Sequence, residues 1–366
     1  MINERKRNLD LFGNLTRVVI KLGTGILTNS ANQIDFAQID AFAAQSAFLK
    51  ERGIDVIIVS SGAVGAGMGT LGFQSRPTSL GELQACAALG QVRLMHAYSE
   101  AFKKHGIHVA QVLLTHEDLK HKDRHLNARN TLESLLGSGA VPIVNENDAV
   151  SFTELQFGDN DKLSALVACL LPADLLVILT SADGLIENFG LDNERRINTV
   201  EKINDDIFSL AKGTTSATAK GGMRTKVEAA EIATHAGLPL FIGPGRDHNV
   251  LNKFLSGENI GTLFIPNTKK LKSHKRWIAF YHHPSASIHV DEGAEKALRK
   301  SGKSLLLPGI KSHNGSFKKG DVVKICDLDG KEFARGVVDC SAEKLNKKHS
   351  SDNGEIIIHR DHLVLL

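Results

Sequence analysis

Two polar runs in the middle of the chain carry the side chains best suited to chemistry. Residues 145–148 (Asn-Glu-Asn-Asp) and 158–161 (Gly-Asp-Asn-Asp) place four carboxylates and three carboxamides within 17 residues. An unpaired buried carboxylate is costly, and Asn, Asp and Gly favour turns, so we expect neither run inside a helix or a packed strand. The first run follows the apolar segment 141–144, and ligands bind at the carboxyl ends of strands in α/β sheets. The pair therefore predicts a ligand site, with two solvated loops as the alternative.

A lysine beside glycine-rich turns is the second chemical feature. Lys21 lies in the apolar run 17–22 and is followed by Gly23 and Gly25, and a second apolar run leads into the glycine-rich turn 61–67. Glycine lets backbone N–H groups approach a ligand, and such turns after strands bind anions. The combination indicates phosphate, although neither turn has the Walker A or dinucleotide spacing.

A third feature repeats this combination late in the chain. Residues 221–226 (Gly-Gly-Met-Arg-Thr-Lys) place two glycines and a lysine at the start of a predicted helix. Backbone N–H groups at a helix start favour anions, so this segment is a further candidate for phosphate. The structural alternative is an ordinary helix start with a solvated lysine.

Strand-like and helical segments alternate along the first 265 residues, and they must position these groups. The predicted strands span 17–22, 55–60, 108–114, 141–145, 175–180, 239–243 and 262–265. Helical patterns lie between them, among them 35–50, 80–104, 163–171 and 226–236. This alternation predicts an α/β fold with a mainly parallel sheet sandwiched by helices.

Five short motifs follow one another in a fixed order. They are Lys21-Leu-Gly-Thr, Ser61-Gly-Ala, Asn145-Glu-Asn-Asp, Gly158-Asp-Asn-Asp and Gly221-Gly-Met-Arg-Thr-Lys. In this order they resemble the motifs of the glutamate 5-kinases, which belong to the amino-acid kinase family. Further similar stretches begin at Ala87, Gly106, Leu126 and Asp291, so the resemblance covers nearly the whole chain. It implies the amino-acid kinase fold.

The resemblance also implies a reaction. The γ-phosphoryl group of ATP would move to the side-chain carboxylate of L-glutamate, giving L-glutamyl 5-phosphate in the first step of proline biosynthesis. A carboxylate is already ionised at pH 7, so this nucleophile needs no general base. The transfer needs positioning and positive charge, which lysines, backbone N–H groups and Mg²⁺ between the phosphates would supply. We expect ATP and Mg²⁺ as cofactors, with no direct protein ligand to the metal.

By the same resemblance, the site residues fall into three groups. Lys21 and Lys226 are the catalytic lysines, and Asp161 holds them through charge-assisted hydrogen bonds. Glutamate is held by Ser61, Gly62, Asn145, Asp148, Asp159 and Asn160. ATP is bound by Lys21, Gly23, Thr180, Ser181, Lys220, Gly221, Gly222, Met223, Arg224, Thr225 and Lys226. The chemistry agrees, because the ammonium of glutamate needs carboxylates and its carboxylates need N–H, hydroxyl or amide donors.

Two positions depart from the family pattern. Ser181 stands where the family commonly has Asp, and residues 219–221 (Ala-Lys-Gly) replace the usual Gly-Thr-Gly. Lys220 adds positive charge near the expected phosphates. We therefore expect altered nucleotide affinity rather than lost activity.

The last hundred residues indicate a separate module. From residue 268 onward, 19 Lys+Arg against 12 Asp+Glu give +7, whereas the preceding 25 against 29 give −4. After a polar segment at 266–275, short strands are predicted at 277–281, 288–290, 321–326, 332–338 and 355–358, with a helix at 293–300. This β-rich module resembles the PUA domain, although the family usually has a longer stretch between 341 and 356. We assign 1–267 to an amino-acid kinase domain and 276–366 to a PUA-like domain.

Composition and cysteine usage favour a soluble cytoplasmic protein. With 42% hydrophobic and 23% charged residues, the chain has the composition of a soluble globular protein, and no signal peptide or membrane span is evident. The four cysteines form no C-x-x-C pair, as expected in a reducing compartment. His116, His121 and His125 lie at near-helical spacing in a charged segment, which we interpret as a solvated face.

The resemblance implies partners as well as substrates. An acyl phosphate is short-lived, so we expect transient contact with a glutamate-5-phosphate reductase, and we expect a homo-oligomer. For the basic module, solvated surface is a simpler explanation than RNA binding.

Two other functions compete with this interpretation. One is a different amino-acid kinase, acting on aspartate, acetylglutamate, uridylate or carbamate, and the two polar runs argue against it. The other is a regulatory or RNA-binding protein with a decayed kinase domain. The presence of Lys21, Lys226 and Asp161 argues against that second alternative.

Overall fold

The computed structural model of the chain describes residues 13–29, 33–150, 160–211, 222–266, 273–281, 284–347 and 354–366. These residues divide into two compact units, one before and one after position 270. The domain bounds given above, 1–267 and 276–366, stay a prediction, because the residues between 266 and 273 lie outside the described ranges.

Ten strands of the first unit are described. They are β1 (Arg17–Leu22), β2 (Asp55–Val59), β3 (Val109–Leu114), β4 (Val141–Glu146), β5 (Leu175–Thr180), β6 (Ile186–Glu187), β7 (Arg195–Arg196), β8 (Thr199–Val200), β9 (Leu240–Pro244) and β10 (Thr262–Phe264). Eight of these described strands form one sheet in the order β3-β4-β2-β1-β5-β9-β10-β8. From β3 to β9 every neighbouring pair is parallel, and only the β9–β10 pair within this sheet is antiparallel. The expected mainly parallel sheet is confirmed.

Helices connect the strands and cover the sheet. In the first unit they are α1 (Thr24–Leu27), α2 (Phe36–Glu51), α3 (Ala63–Leu71), α4 (Leu80–Lys103), α5 (His116–Lys120), α6 (Lys122–Gly137), α7 (Asp161–Leu170), α8 (Asp205–Leu210), α9 (Met223–His235) and α10 (Val250–Leu255). Side chains of α2, α4 and α10, such as Phe42, Tyr98 and Phe254, join the strand side chains in one hydrophobic core. The central strands are buried along their length, as expected of a sheet covered on both faces.

The second unit has its own β-rich core. Its strands are β11 (Ser287–Val290), β12 (Leu305–Leu306), β13 (Ile310–Asn314), β14 (Val322–Cys326), β15 (Glu332–Val337), β16 (Ile356–Ile358) and β17 (Leu363–Leu365). Its helices are α11 (Ser273–Phe280), α12 (Glu292–Ser301) and α13 (Ala342–Lys347). The predicted strand at 277–281 is wrong, because these residues lie in and just after α11. Trp277, Ile278 and Ala279 are all buried, and a short buried apolar run does not distinguish a helix from a strand by its periodicity.

The histidine prediction is partly wrong. The three residues do not share one helix, because α5 runs from His116 to Lys120, His121 lies between the helices, and His125 lies within α6. His121 is exposed, as expected, whereas His125 is only 5% exposed and its Nδ1 lies 3.2 Å from the carbonyl oxygen of Leu119. The carbonyl can only accept, so Nδ1 carries the hydrogen. Burial lowers the pKa of His125 from 6.5 to about 4.

Among the described residues, no helix is both long and apolar enough to cross a membrane. Helices α3 and α4 instead pack closely through small residues. A Cβ added at Gly67 of α3 would overlap the carbonyl oxygen of Cys86, and one added at Gly90 of α4 would overlap that of Ala63. Both obstacles are backbone atoms, which cannot turn aside as a side chain does. This crossing holds the start of α3, and thus the glycine turn that precedes it.

Gly67→Ala should destabilise the protein by about 2 kcal/mol or more, because overpacking against backbone forces the helices apart. Gly69→Ala is the matched control on the same helix, since a Cβ there meets no atom within 4 Å. That control should stabilise by up to about 1 kcal/mol, the usual gain of replacing a helical glycine. Urea unfolding of both variants measures the difference. Equal stabilities would show that the helices do not depend on this contact.

The buried His125 should make stability fall on acidification. Its folded pKa of about 4 lies below the unfolded value of 6.5, so the unfolded state binds the proton more tightly. The stability from neutral His125 is therefore complete above pH 6.5 and is lost as the pH falls towards 4. When the pH falls from 7 to 5.5, the unfolding free energy of the unmutated protein should decrease more than that of His125→Asn, by up to about 1 kcal/mol. His121→Asn is the exposed control, and its unfolding free energy should change with pH as that of the unmutated protein does. If His125→Asn shows the same pH dependence as the unmutated protein, the pKa of His125 is not lowered by folding.

Candidate active site

Two buried lysines converge on one buried carboxylate. Lys21 Nζ lies 2.6 Å from Asp161 Oδ1, and Lys226 Nζ lies 3.0 Å from Asp161 Oδ2. The three side chains are at most 7% exposed. A buried carboxylate is tolerated when it is paired, and here it is paired on both oxygens. The cluster carries two positive charges against one negative charge.

Three elements bring these groups together. Lys21 lies in β1, where it is in register with Val59 of β2 and Ile178 of β5. Asp161 is the first residue of α7, a helix in which every residue except Lys162 is buried. Lys226 lies in the first turn of α9, which packs against α7. The predicted convergence of Lys21, Asp161 and Lys226 is thus present in the structure.

Thr225 supports the carboxylate from the same helix turn. Its Oγ1 lies 2.9 Å from Asp161 Oδ2 and also 2.9 Å from the carbonyl oxygen of Gly222. Helix α9 begins at Met223, three residues earlier than the predicted start at 226. Lys226 is therefore the fourth residue of α9 and not its first, and the three residues before it in the helix fix its orientation.

Glycines keep the space beside Lys21 open. The N–H of Gly23 donates to the carbonyl oxygen of Leu179 at 3.2 Å, which joins the turn after β1 to β5. A Cβ added at Gly23 would lie 4.0 Å from Lys21 Nζ, in the space next to the ammonium. Gly62 has a φ of +90°, a conformation that glycine adopts without strain, and α3 begins directly after it. Both turns thus bring backbone N–H groups to the carboxyl edge of the sheet.

The first polar run contradicts the expectation that it lies outside packed elements. Asn145 and Glu146 form the end of β4 and are 1% and 4% exposed. The burial of Asn145 is tolerated because its side-chain oxygen and its NH₂ group are both hydrogen-bonded. Asn145 Oδ1 accepts hydrogen bonds from Asn160 Nδ2 at 2.7 Å and from the backbone N–H of Glu146 at 3.0 Å. The Glu146 carboxylate lies 3.8 Å from His116 Nδ1, a contact that sequence reasoning missed.

The remaining candidates on this side surround the ends of β2 and β4. Asn160 Nδ2 also donates to the carbonyl oxygen of Ser60 at 2.5 Å, so the second polar run reaches the end of β2. Ser61 follows that carbonyl and is half-buried. Asp148 is half-buried, and its negative charge raises the pKa of Arg76, against the larger lowering by desolvation. Asp159 lies outside the described residues.

The candidate nucleotide residues lie on the other side of β1. Thr180 ends β5, and its carbonyl oxygen accepts the N–H of Gly245 at 2.7 Å. Ser181 and Arg224 are exposed, and Arg224 Nε is bound to Glu228 at 3.2 Å, whereas Met223 is buried. Lys220 and Gly221 lie outside the described residues. Thr225 and Lys226, by contrast, contact Asp161 of the second polar run directly.

Within the described part of the chain, no group of three or more His, Cys, Asp or Glu side chains is arranged to hold a metal ion. Asp161 is the carboxylate nearest the lysines, and each of its oxygens already contacts an ammonium.

Comparison with known proteins gives full-length relatives. The amino acid kinase family profile matches residues 16–244, and the PUA domain profile matches residues 286–357. A glutamate 5-kinase of Geobacter sulfurreducens is 45% identical over 369 residues, which cover 97% of this chain and 99% of the relative. A glutamate 5-kinase of a Marinomonas strain is 44% identical over 363 residues, with 96% and 97% coverage.

Among solved structures, a UMP kinase of Bacillus anthracis aligns with 69% of this chain and 97% of its own. The identity is 16% and the TM-score is 0.49. This likeness is too weak to add to the evidence from the full-length relatives.

Proposed function

The chain belongs to the glutamate 5-kinases of the amino acid kinase family, and from that premise we propose which of its residues perform the reaction. The enzyme transfers the γ-phosphoryl group of ATP to the γ-carboxylate of L-glutamate, the first step of proline biosynthesis. The single observation that supports the assignment of residues is the pair of buried lysines bridged by Asp161.

The reaction requires positive charge more than proton transfer. The γ-carboxylate of glutamate is ionised at neutral pH and attacks the phosphorus without a general base. Negative charge spreads over the transferring phosphoryl oxygens in the transition state. Lys21 and Lys226 are the catalytic residues in this proposal, because their buried ammonium groups converge at the end of β1 and the first turn of α9.

Asp161 acts as a positioning residue between the two lysines. One oxygen contacts each ammonium, so the separation of the two positive groups is set before substrate arrives. Charges that are already oriented stabilise a transition state without reorganisation at the moment of transfer. An ammonium carries three hydrogens, so a lysine can contact a carboxylate and a phosphoryl oxygen at the same time.

The sheet order separates the two substrates. Strands β2 and β4 lie on one side of β1, and we assign glutamate to that side with Ser61, Gly62, Asn145, Asp148, Asp159 and Asn160. Strands β5 and β9 lie on the other side, where we assign ATP to Lys21, Gly23, Thr180, Ser181 and residues 220–226. The phosphoryl group would then pass over Lys21, between the two sides.

Mg²⁺ would arrive with the nucleotide. Both oxygens of Asp161 are engaged by lysines, so we propose that the phosphate oxygens of ATP and water hold the ion. When bound, Mg²⁺ would neutralise part of the phosphate charge. This assignment agrees with the charge of the cluster, in which two lysines share one carboxylate.

Three further proposals concern the setting of the enzyme. We propose a cytoplasmic location, in agreement with the burial of all four cysteines and with a sequence that has no C-x-x-C pair. We propose a homo-oligomer, as the family resemblance implies. Because an acyl phosphate is reactive, we also propose transient contact with a glutamate-5-phosphate reductase that consumes it.

Lys21→Ala should reduce kcat at least about 100-fold, because losing a charge contact to the transferring phosphoryl group costs on the order of 3–5 kcal/mol. Lys162→Ala is the matched control, since Lys162 is 48% exposed, neighbours Asp161 in sequence and pairs with Glu228. Glutamate-dependent ADP release measures both. Activity of Lys21→Ala above about a tenth of the unmutated rate, a loss below ~1.4 kcal/mol, would remove Lys21 from the catalytic role.

Hydroxylamine should trap the product as a hydroxamate, because it attacks acyl phosphates. Glutamate, aspartate and acetylglutamate are offered separately with ATP and Mg²⁺, and we expect hydroxamate only with glutamate. Adding a glutamate-5-phosphate reductase with its reductant should lower the trapped amount. ADP release with glutamate but no hydroxamate at saturating hydroxylamine would exclude an acyl phosphate product. Hydroxamate with aspartate alone would exclude glutamate as the substrate.

A further inference from the structure

A continuous chain of side-chain amides runs behind the glutamate side of the site. Gln111 Oε1 accepts from Gln91 Nε2 at 2.9 Å, and Gln91 Oε1 accepts from Asn145 Nδ2 at 2.8 Å. Asn145 Oδ1 accepts from Asn160 Nδ2 at 2.7 Å, and Asn160 Nδ2 reaches the Ser60 carbonyl at 2.5 Å. We call Gln111, Gln91, Asn145 and Asn160 the amide relay. It connects β3, α4, β4 and the start of α7.

Backbone groups fix the direction of the amide relay. The Ser60 carbonyl can only accept, so the Asn160 amide must direct its NH₂ group there. The N–H of Glu146 can only donate, so Asn145 must direct its oxygen towards Glu146 and Asn160. The NH₂ group of Asn145 then points towards Gln91, so Gln91 must direct its oxygen towards Asn145. Each amide orientation therefore follows from the previous one and from two backbone anchors.

The Ser60 anchor is itself held on two sides. Its N–H donates to the carbonyl oxygen of Val144 at 2.8 Å, and its Oγ lies 3.0 Å from the hydroxyl of Tyr98. Ser60 and Tyr98 are both fully buried. The carbonyl that orients Asn160 is thus part of the rigid core and does not depend on substrate.

The relay determines what Asn160 offers to a ligand. Both hydrogens of its NH₂ group have acceptors, Ser60 and Asn145, whereas no described residue donates to its oxygen. Asn160 is half-buried, so this oxygen is the polar atom it has left for a substrate. An amide oxygen accepts hydrogen bonds, which suits the α-ammonium of glutamate and not its carboxylates.

We propose that Gln91 is a positioning residue for glutamate, acting through Asn145 to hold the oxygen of Asn160 towards the α-ammonium. The inference rests on the proposed function, and it gives Asn145, which is 1% exposed, an indirect part in substrate binding. Gln91 is 8% exposed and lies on α4, away from the lysine pair. Without the acceptor on Gln91, the buried NH₂ group of Asn145 loses its hydrogen-bond partner, so Asn145 is held less firmly in the position in which its oxygen supports Asn160.

Three variants separate this role from general packing. Gln91→Met keeps the length but removes the acceptor, so KM for glutamate should rise about tenfold while KM for ATP changes less than about twofold. Gln91→Glu keeps an acceptor for Asn145, and the exposed Gln111 can turn its NH₂ group towards it; KM for glutamate should stay within about threefold. Gln45→Met is the control, because Gln45 is also buried and accepts the N–H of Leu251 far along the chain. It should leave both KM values within about twofold.

Glutarate tests the ammonium directly, because it has both carboxylates of glutamate and no amine. Its inhibition constant against glutamate should change less than about twofold in Gln91→Met, since the relay acts on the ammonium. An equal weakening of glutarate and glutamate would mean that Gln91 supports the site only as packing, and would overturn the proposal.

A second pair at the exposed end of the relay covers the case in which Gln91→Met does not fold. Gln111→Glu keeps the acceptor for Gln91 Nε2, and Gln111→Met removes it. We expect KM for glutamate in Gln111→Met to exceed that in Gln111→Glu at least about threefold, with equal KM for ATP. Equal values in this pair, or an unchanged KM for glutamate in a folded Gln91→Met, would overturn the relay. If the unmutated enzyme shows no glutamate-dependent ADP release, the proposed function is wrong, and the role of the amide relay in binding glutamate is wrong as a consequence.

Discussion

The whole first unit is organised around the cost of burying two ammonium groups. Like charges a few ångströms apart repel strongly where water is excluded, and a buried charge is stable only when it is paired. Asp161 meets this requirement for Lys21 and Lys226 at once, with one oxygen for each. The central strand β1, the buried helix α7 and the first turn of α9 must therefore keep a fixed relation. A shift of any one of them would leave a buried charge without its partner.

The same constraint explains the division of the site. Since β1 lies in the middle of the sheet, its neighbours supply different chemistry on its two sides. The end of β4 carries amides and carboxylates and β2 is followed by two serines, whereas β5 is followed by the exposed Ser181 and Asp183. Glycines line the turns next to Lys21, where a side chain at position 23 would stand beside the ammonium. In the proposed mechanism, the lysines lie where the two substrates meet.

Much of this arrangement follows from the sequence alone, and the exceptions have physical causes. Apolar runs predicted β1 and β5 to the residue, and the resemblance to the glutamate 5-kinases implied the partners of Asp161. The burial of Asn145 and Glu146 inside β4 was not predicted, because their partners Gln91, Asn160 and His116 are 15 to 54 positions away or on another element. Asn and Asp favour turns locally, but hydrogen bonds to side chains distant in sequence stabilise Asn145 inside a buried strand. His125 was missed for the same reason, since a backbone carbonyl satisfies its one donor.

The most direct test of the central claim is the glutamate-dependent kcat of Asp161→Asn, measured with both substrates saturating and below the melting temperature of the variant. Asparagine has the shape of aspartate but no charge, so it cannot balance two buried ammonium groups. The account predicts a loss of kcat of at least about 100-fold, on the order of 3 kcal/mol. A variant that folds and retains more than about a tenth of the unmutated kcat would contradict it, because the charge that holds both lysines would then be dispensable.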